Sequence, residues 1–271
     1  MVVNKSNKMM INTLVIILNH NTADLTSNLF NSLYPYEKND YETFILDNGS
    51  DLQELTDLEN MILNKNRIIK INENLLFGGG LNYAFEIIKE NKKYNSLLFL
   101  NSDLIVHPYK FVSSLYYCLN TFGLDIISPC IIQPTFHQNY WKQMHNWGSP
   151  GVRPVKWIDL QSPMFSRSFV ENKAFIPNEL RFGWGVDILF GVLTNKIGVL
   201  DTVPAIHLDS QTVRRRRGVD EVITNYWENA DKNMHEYFYD HYQNQFHEMR
   251  EYGKNYSNES EIGSSFNTRG M

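Results

Sequence analysis

LLFLNSD, residues 97–103, sets four apolar side chains in a row and then breaks into Asn101, Ser102 and Asp103. A buried parallel strand that delivers a polar tip to the edge of its sheet has this form. Two earlier runs end the same way, ILNHN at 17–21 and FILDNGS at 44–50. Ligands of open α/β sheets bind at the carboxyl ends of the strands. Asn19, Asp47 and Asp103 are therefore placed to converge on one ligand.

Outward from these tips the chain alternates. TLVIIL at 13–18 reads as the first strand, followed by a helix with Leu25, Leu29 and Leu33 at spacing four and an end marked by Pro35. YETFILD is a second strand, residues 51–64 a polar helix, and RIIKI at 67–71 a third strand. Gly78, Gly79 and Gly80 then precede a helix with Leu81, Ala84, Phe85 and Ile88 on one face. HPYKFVSSLYYCLNTF reads as a helix with Pro108 in its first turn, and DIISPCII at 125–132 as a strand. From 133 to 183 aromatic and polar residues mix without a period, which predicts hairpins and loops. ILFGVLTNK is helical, VPAIHL a strand, and 219–249 a long aromatic-rich helix.

The expected organisation is a disordered leader over 1–10, one α/β domain over 11–252, and a flexible Ser/Asn/Gly-rich tail over 253–271. Within the domain, 11–132 forms the ligand-binding half and 133–252 a second half with a helical extension. A chain of 271 residues buries a sizeable core. Twenty-five basic against 30 acidic residues, a net charge of −5, give no electrostatic footprint for nucleic acid. Cys118 and Cys130 lack CxxC spacing and read as reduced, buried thiols. Leu14–Leu18 is too short to span a bilayer and its leader is polar. The expected location is cytoplasmic, with peripheral membrane association left open.

Several residue types carry candidate chemistry. Asp103, at a strand tip, suits Mg²⁺ or Mn²⁺ when substrate phosphates supply the remaining oxygens, and equally suits a helix cap. Asp47 in DNGS is a ligand candidate or part of a plain turn. The three glycines allow close backbone approach to a ligand or simply a turn. They match neither the GxGxxG dinucleotide fingerprint nor a P-loop. Asp187 in GWGVD is either a functional carboxylate or a cap, and Trp184 either stacks on a sugar or fills the core. His235, His241 and His247 recur every six residues and share no helix face. His137 and His145 show no zinc spacing.

Together, ILNHN, FILDNGS, NENLLFGGGLN (72–82) and LLFLNSD occur in the order and approximate spacing of family 2 glycosyltransferases of the GT-A fold, whose members carry VxNYN, VxDNxSxD, NxGFxxGxN and LLNPD. The likeness is to the rhamnosyltransferase-like members, covers about the first 110 residues well, and continues more loosely through GWGVD and IHLDSQT. It implies a mostly parallel sheet flanked by helices and a nucleoside-diphosphate sugar donor. Asp47 would recognise the base and Asn19 would sit near the nucleotide. Asn101, Ser102 and Asp103 would stand at the DxD metal motif, with Asn101 in place of its first acid. Gly79, Gly80 and Asn82 would lie beside the donor sugar or its diphosphate. The resemblance further implies Asp187 as general base of an inverting transfer, with Trp184 and Gly185 where a preceding acid is common, and Trp184 at the acceptor. His207 would join Asp103 on Mn²⁺ or Mg²⁺, and Arg214 and Arg215, from a run of four arginines, would bind the diphosphate.

The reading is therefore an inverting glycosyltransferase that takes a UDP- or dTDP-sugar to a glycan hydroxyl. Two alternatives stand beside it: a noncatalytic carbohydrate- or nucleotide-binding derivative, and a sugar-phosphate nucleotidyltransferase. The latter lacks its usual glycine-rich loop here, since strand one ends in NHNTAD. Sugar, acceptor, linkage and oligomeric state are not legible in the sequence.

Overall fold

The computed structural model describes residues 12–37, 40–133, 141–208, 210–216 and 224–256. The expected leader, His137 and Arg217 lie outside the described residues.

Strand β1 (Thr13–Asn19) lies parallel to β2 (Tyr41–Asn48) on one side, and β3 (Ile68–Ile71) pairs parallel beyond β2. Helices α1 (Ala23–Leu33) and α2 (Leu52–Met61) make the first two crossovers. Helix α3 (Leu76–Glu90) then carries the chain back to β4 (Ser96–Asn101), parallel on the other side of β1. The strand order reverses between β1 and β4, and such a switch point opens a crevice at the carboxyl ends of the two strands. Val15, Ile16 and Ile17 in β1 and Leu97–Leu100 in β4 are wholly buried. Leu81, Ala84, Phe85 and Ile88 of α3 are buried together on one face. Burial of each such large apolar side chain contributes about 1.5–3 kcal/mol.

The second half adds β5 (Leu104–Val106), α4 (Phe111–Thr121), β6 (Ile126–Ile132), β7 (Val152–Pro154), β8 (Met164–Ser166), α5 (Arg167–Asn172), α6 (Val186–Leu193) and β9 (Ile197–His207). They extend one sheet in the order β3-β2-β1-β4-β8-β6-β9-β5, with β7 on β9. Every parallel pairing spans four or more residue pairs and every antiparallel one three or fewer, so the sheet is mainly parallel. Three helices follow: α7 (Gln211–Arg216), α8 (Tyr226–His241) and α9 (Gln243–Asn255).

Four local expectations are corrected. The three glycines do not precede α3; the helix begins at Leu76 and contains them. Pro108 lies ahead of α4, which starts at Phe111 after Lys110 turns left-handed at φ 62°. In the aperiodic stretch, β7 and β8 pair with distant strands rather than in a hairpin, and β8 inserts antiparallel between β4 and β6. The long C-terminal helix breaks at Tyr242, and α9 runs on to Asn255 with Tyr256 buried behind it, past the expected start of the tail.

A buried ion pair fixes that region. Arg153 and Asp201, 4% and 3% exposed, meet through Nη2 and Oδ1 at 2.8 Å. Arg153 also donates to the carbonyls of Gln143 and His145 and to the Tyr256 hydroxyl, while Asp201 accepts from the amides of Trp147 and Ser149. Each charge thus has several partners, which a buried pair requires to offset its desolvation. Cys130 is buried, Cys118 is half-buried, and both are free thiols. Among the described residues no helix is long and apolar enough to cross a membrane.

Candidate active site

At the switch point the tips of β1, β2 and β4 meet the loop before α6, the end of β9 and helix α7 around a cavity of about 610 Å³. Asn101, Ser102 and Asp103 line it, as do Trp184, His207 and Arg214. Six of the residues singled out from the sequence are thereby brought to one space.

Asp103 and His207 face each other at one end. His207 Nε2 lies 3.3 Å from Asp103 Oδ1, and both residues are buried. The pairing follows from the antiparallel register that sets Leu104 against His207 and lets the Leu208 amide donate to the Asp103 carbonyl at 2.9 Å. The Gln211 amide donates to Asp103 Oδ2 at 2.9 Å. Burial alone opposes ionisation of Asp103, but the hydrogen bond and charge of His207 and the Gln211 amide outweigh it and hold the carboxyl below its ordinary range. One carboxylate and one imidazole so placed fit a Mn²⁺- or Mg²⁺-binding site that needs substrate oxygens to complete it. Among the described residues no group of three or more His, Cys, Asp or Glu side chains forms a closed metal site.

Asn19 and Asp47 lie beneath the cavity rather than on its wall. Asn19 Nδ2 donates to Asp47 Oδ1 at 2.7 Å and to the Ser50 hydroxyl at 3.0 Å, and Asn19 Oδ1 accepts from Thr26 at 2.6 Å. Thr22 reaches the Ser102 hydroxyl at 2.9 Å, which ties the tips of β1 and β4 to α1. Side chains alternate along a strand, and the neighbours of this buried pair form the wall: His20 and Asn48 line the cavity together with Asn74. His20 Nδ1 lies 2.9 Å from the Asn48 carbonyl, and the Asn74 amide nitrogen lies 3.2 Å from His20 Nε2.

The glycines of α3 serve close packing. A Cβ on Gly80 would come within 2.8 Å of Leu18 Cδ1, and the Gly78 amide donates to the Arg181 carbonyl at 2.7 Å. Asn82 clips the Ile176 backbone from both sides, donating at 2.8 Å and accepting at 3.0 Å. Gly79, Gly80 and Asn82 are not among the lining residues either.

Asp187 sits in the first turn of α6, set there by Gly185, whose φ of 83° few other residues adopt. The loop just before it, Phe182 to Trp184, forms part of the cavity wall, while Asp187 itself is not among the lining residues. Burial, and next the charge of Asp159, push the Asp187 carboxyl up to about 7, against the pull of the Ile188 amide and Arg250. Trp184 packs on Trp227 at 5.4 Å between ring centres, and Trp227 on Tyr226 at 5.3 Å, so α8 completes an aromatic wall. The Tyr226 hydroxyl donates to the Phe182 carbonyl.

The arginines of α7 diverge. Arg214 lines the cavity, while Arg215 turns away to Asp24 of α1 at 2.6 Å and Arg216 to Asp51 at 2.9 Å. His20, Asn48, Asn74, Asp159, Gln161, Tyr226 and Trp227 line the site without having been singled out from the sequence. His20 and Asn48 were one residue away along the alternation; Asp159 and Gln161 fall in the stretch without a period.

The family model for glycosyl transferase family 2 matches residues 14–181. The chain belongs to glycosyl transferase family 2. Comparison of this glycosyltransferase-family sequence with curated proteins gives no significant match. Among solved structures it is similar in fold to S. aureus TarS 1–349, at 15% identity and TM-score 0.55 over 87% of this chain and 74% of that one. GalNAc-T7 with UDP, GalNAc and Mn²⁺ matches at 12% identity and TM-score 0.57 over 74% of this chain and 44% of that one. The mannosyltransferase PcManGT from Pyrobaculum calidifontis, in complex with GDP-Man and Mn²⁺, matches at 13% identity and TM-score 0.55 over 76% of this chain and 61% of that one. The fold is GT-A, and family and fold together support glycosyl transfer.

Proposed function

We propose that this glycosyltransferase moves a sugar from a UDP- or dTDP-sugar to a glycan hydroxyl in one inverting displacement. The observation that carries the reading is the make-up of one cavity: Asp103, His207 and Arg214 line it together with an aromatic wall that includes Trp184, whose loop runs into the helix turn that holds Asp187. GalNAc-T7 and PcManGT, with their nucleotide ligands and Mn²⁺, lend support to a nucleoside-diphosphate donor.

In this reading Asp103 and His207 hold the divalent cation, and His20, Asn48 and Asn74 flank the nucleotide. When bound, the cation supplies positive charge against which the diphosphate departs. Arg214 adds a charge-assisted hydrogen bond to the same diphosphate. Asp187, poised near neutral pH, takes the proton of the acceptor hydroxyl. That oxygen forms its bond to the anomeric carbon as the bond to the diphosphate oxygen breaks. Trp184 and Trp227 offer flat apolar faces to the acceptor sugar and exclude water.

Thermal-shift measurement with nucleoside diphosphates and Mn²⁺ tests the donor site. At a concentration about 100 times Kd a bound nucleotide stabilises the fold by about 2.7 kcal/mol. A Mn²⁺-dependent rise in Tm with UDP or dTDP, lost in Asp103→Ala, is expected. No shift with any nucleotide contradicts the reading.

A further inference from the structure

The antiparallel register of β4 and β8 runs past the ends of both strands. Ser96 pairs with Ser166 and Leu98 with Met164, and the ladder continues as the Phe99 amide donates to the Pro163 carbonyl at 2.9 Å and the Asn101 amide to the Gln161 carbonyl at 3.0 Å. Two residues before Gln161 in the chain stands Asp159, and two after Asn101 stands Asp103. Both line the cavity, and they are the two carboxylates that do so among the described residues. GWGVD offers a single acid in the sequence, and the fold supplies another from a remote segment.

Gln161 makes this a built polar site. It is 5% exposed, lines the cavity, and donates through Nε2 to Asp159 Oδ2 at 3.3 Å, while its Oε1 is buried without a hydrogen-bond partner. A buried amide oxygen left unpaired costs about 1–3 kcal/mol, a cost that a ligand hydroxyl donating to it removes. Trp184 and Trp227 stand on the same wall.

We propose that Asp159 is a positioning acid of the transfer, which with Gln161 Oε1 accepts hydrogen bonds from the hydroxyl groups of the acceptor sugar and presents the attacking one to Asp187. The assignment rests on the function proposed above and adds to it the group that recognises the acceptor. A carboxylate and an amide oxygen side by side both accept, and vicinal sugar hydroxyls both donate. The stacked aromatics cover the ring face. The acceptor class is therefore a glycoside with a free diol. The charged groups that act on Asp187 are Asp159, from the segment ahead of β8, and Arg250 of α9.

The test uses the full chain and two readouts that need no natural acceptor. ¹³C-aspartate NMR follows the Asp187 carboxyl across pH in wild type and in Asp159→Asn, which keeps the side-chain shape. The midpoint falls in the variant if the two acids are coupled, and an unmoved midpoint overturns the pairing. Methyl glucoside, galactoside and rhamnoside, at millimolar concentration with UDP and Mn²⁺ present, then serve as acceptor probes. One or more perturbs the Trp184 and Trp227 indole signals of wild type, with affinity reduced about tenfold in Asp159→Asn and in Gln161→Leu, while nucleotide affinity stays within about twofold. Equal glycoside binding in wild type and both variants, or no binding of any probe, overturns the proposal. Loss of nucleotide binding by the wild type would instead contradict the donor-site reading.

Discussion

Asp103 and His207 close to 3.3 Å although they are far apart in the sequence, one after β4 and the other at the end of β9. The contact joins the parallel first half of the sheet to the mixed second half, and residues of both line the cavity. Substituting either residue is thus expected to disturb the donor end without touching the Asp187 end. In the proposed mechanism His207→Ala lowers kcat/KM at fixed Mn²⁺ by about 10²-fold and raises the Mn²⁺ concentration for half-maximal rate, as assayed by metal titration.

The pH profile reports on Asp187. A base must be unprotonated, so kcat for transfer is expected to rise with pH through a limb near 7, where the carboxyl is poised. A limb near 4, the ordinary carboxyl range, would show that another group sets the rate.

Stability carries the opposite sign. The folded Asp187 carboxyl keeps its proton to higher pH than the unfolded one, so the folded state loses stability as pH rises from about 4 to about 7. Asp187→Asn removes that loss. The variant is expected to be inactive yet more stable than wild type at pH 8, by up to about 4 kcal/mol, with the gap closing below about pH 4. Urea unfolding at the two pH values measures it.

Arg215 holds Asp24 with two nitrogens, at 2.6 and 3.2 Å, and this clasp keeps α7 beside the cavity where Arg214 lines it. Both partners are substantially exposed, so the pair is worth about 0–1 kcal/mol. Asp24→Asn is therefore expected to raise the donor KM no more than about fivefold with kcat nearly unchanged, and added salt should reproduce most of the effect in wild type. Steady-state kinetics at low and high ionic strength decides it.

Arg153 and Asp201 make the contrasting case, wholly buried and multiply bonded. Arg153→Met strands the Asp201 carboxylate and is expected to cost about 3–5 kcal/mol, a fall in Tm of roughly 10 °C in calorimetry. Cavity residues are not in this network, so nucleotide affinity of the folded fraction should hold.

The fold was legible where one physical rule acts alone. Three buried strands with polar tips, and an α3 face spaced for one helix side, are visible as periodicity. Asp103, Trp184, His207 and Arg214 were legible because the motif order brings them together. His20 and Asn48 were missed since strand alternation turned Asn19 and Asp47 inward, where they bond each other. Asp159 and Gln161 were missed for another reason. Their place depends on β8 pairing with β4 across the sheet, a long-range register that leaves no local period.

Release of nucleoside diphosphate from a panel of UDP- and dTDP-sugars, with Mn²⁺ and a mixed glycoside acceptor, is the most direct measurement. The account predicts that wild type consumes one donor and forms a glycoside of inverted configuration, and that Asp103→Ala and Asp187→Asn each lower the rate at least about 10²-fold. A wild-type protein that binds nucleotide yet turns over none of the donors, or an Asp187→Asn variant as fast as wild type, would contradict it.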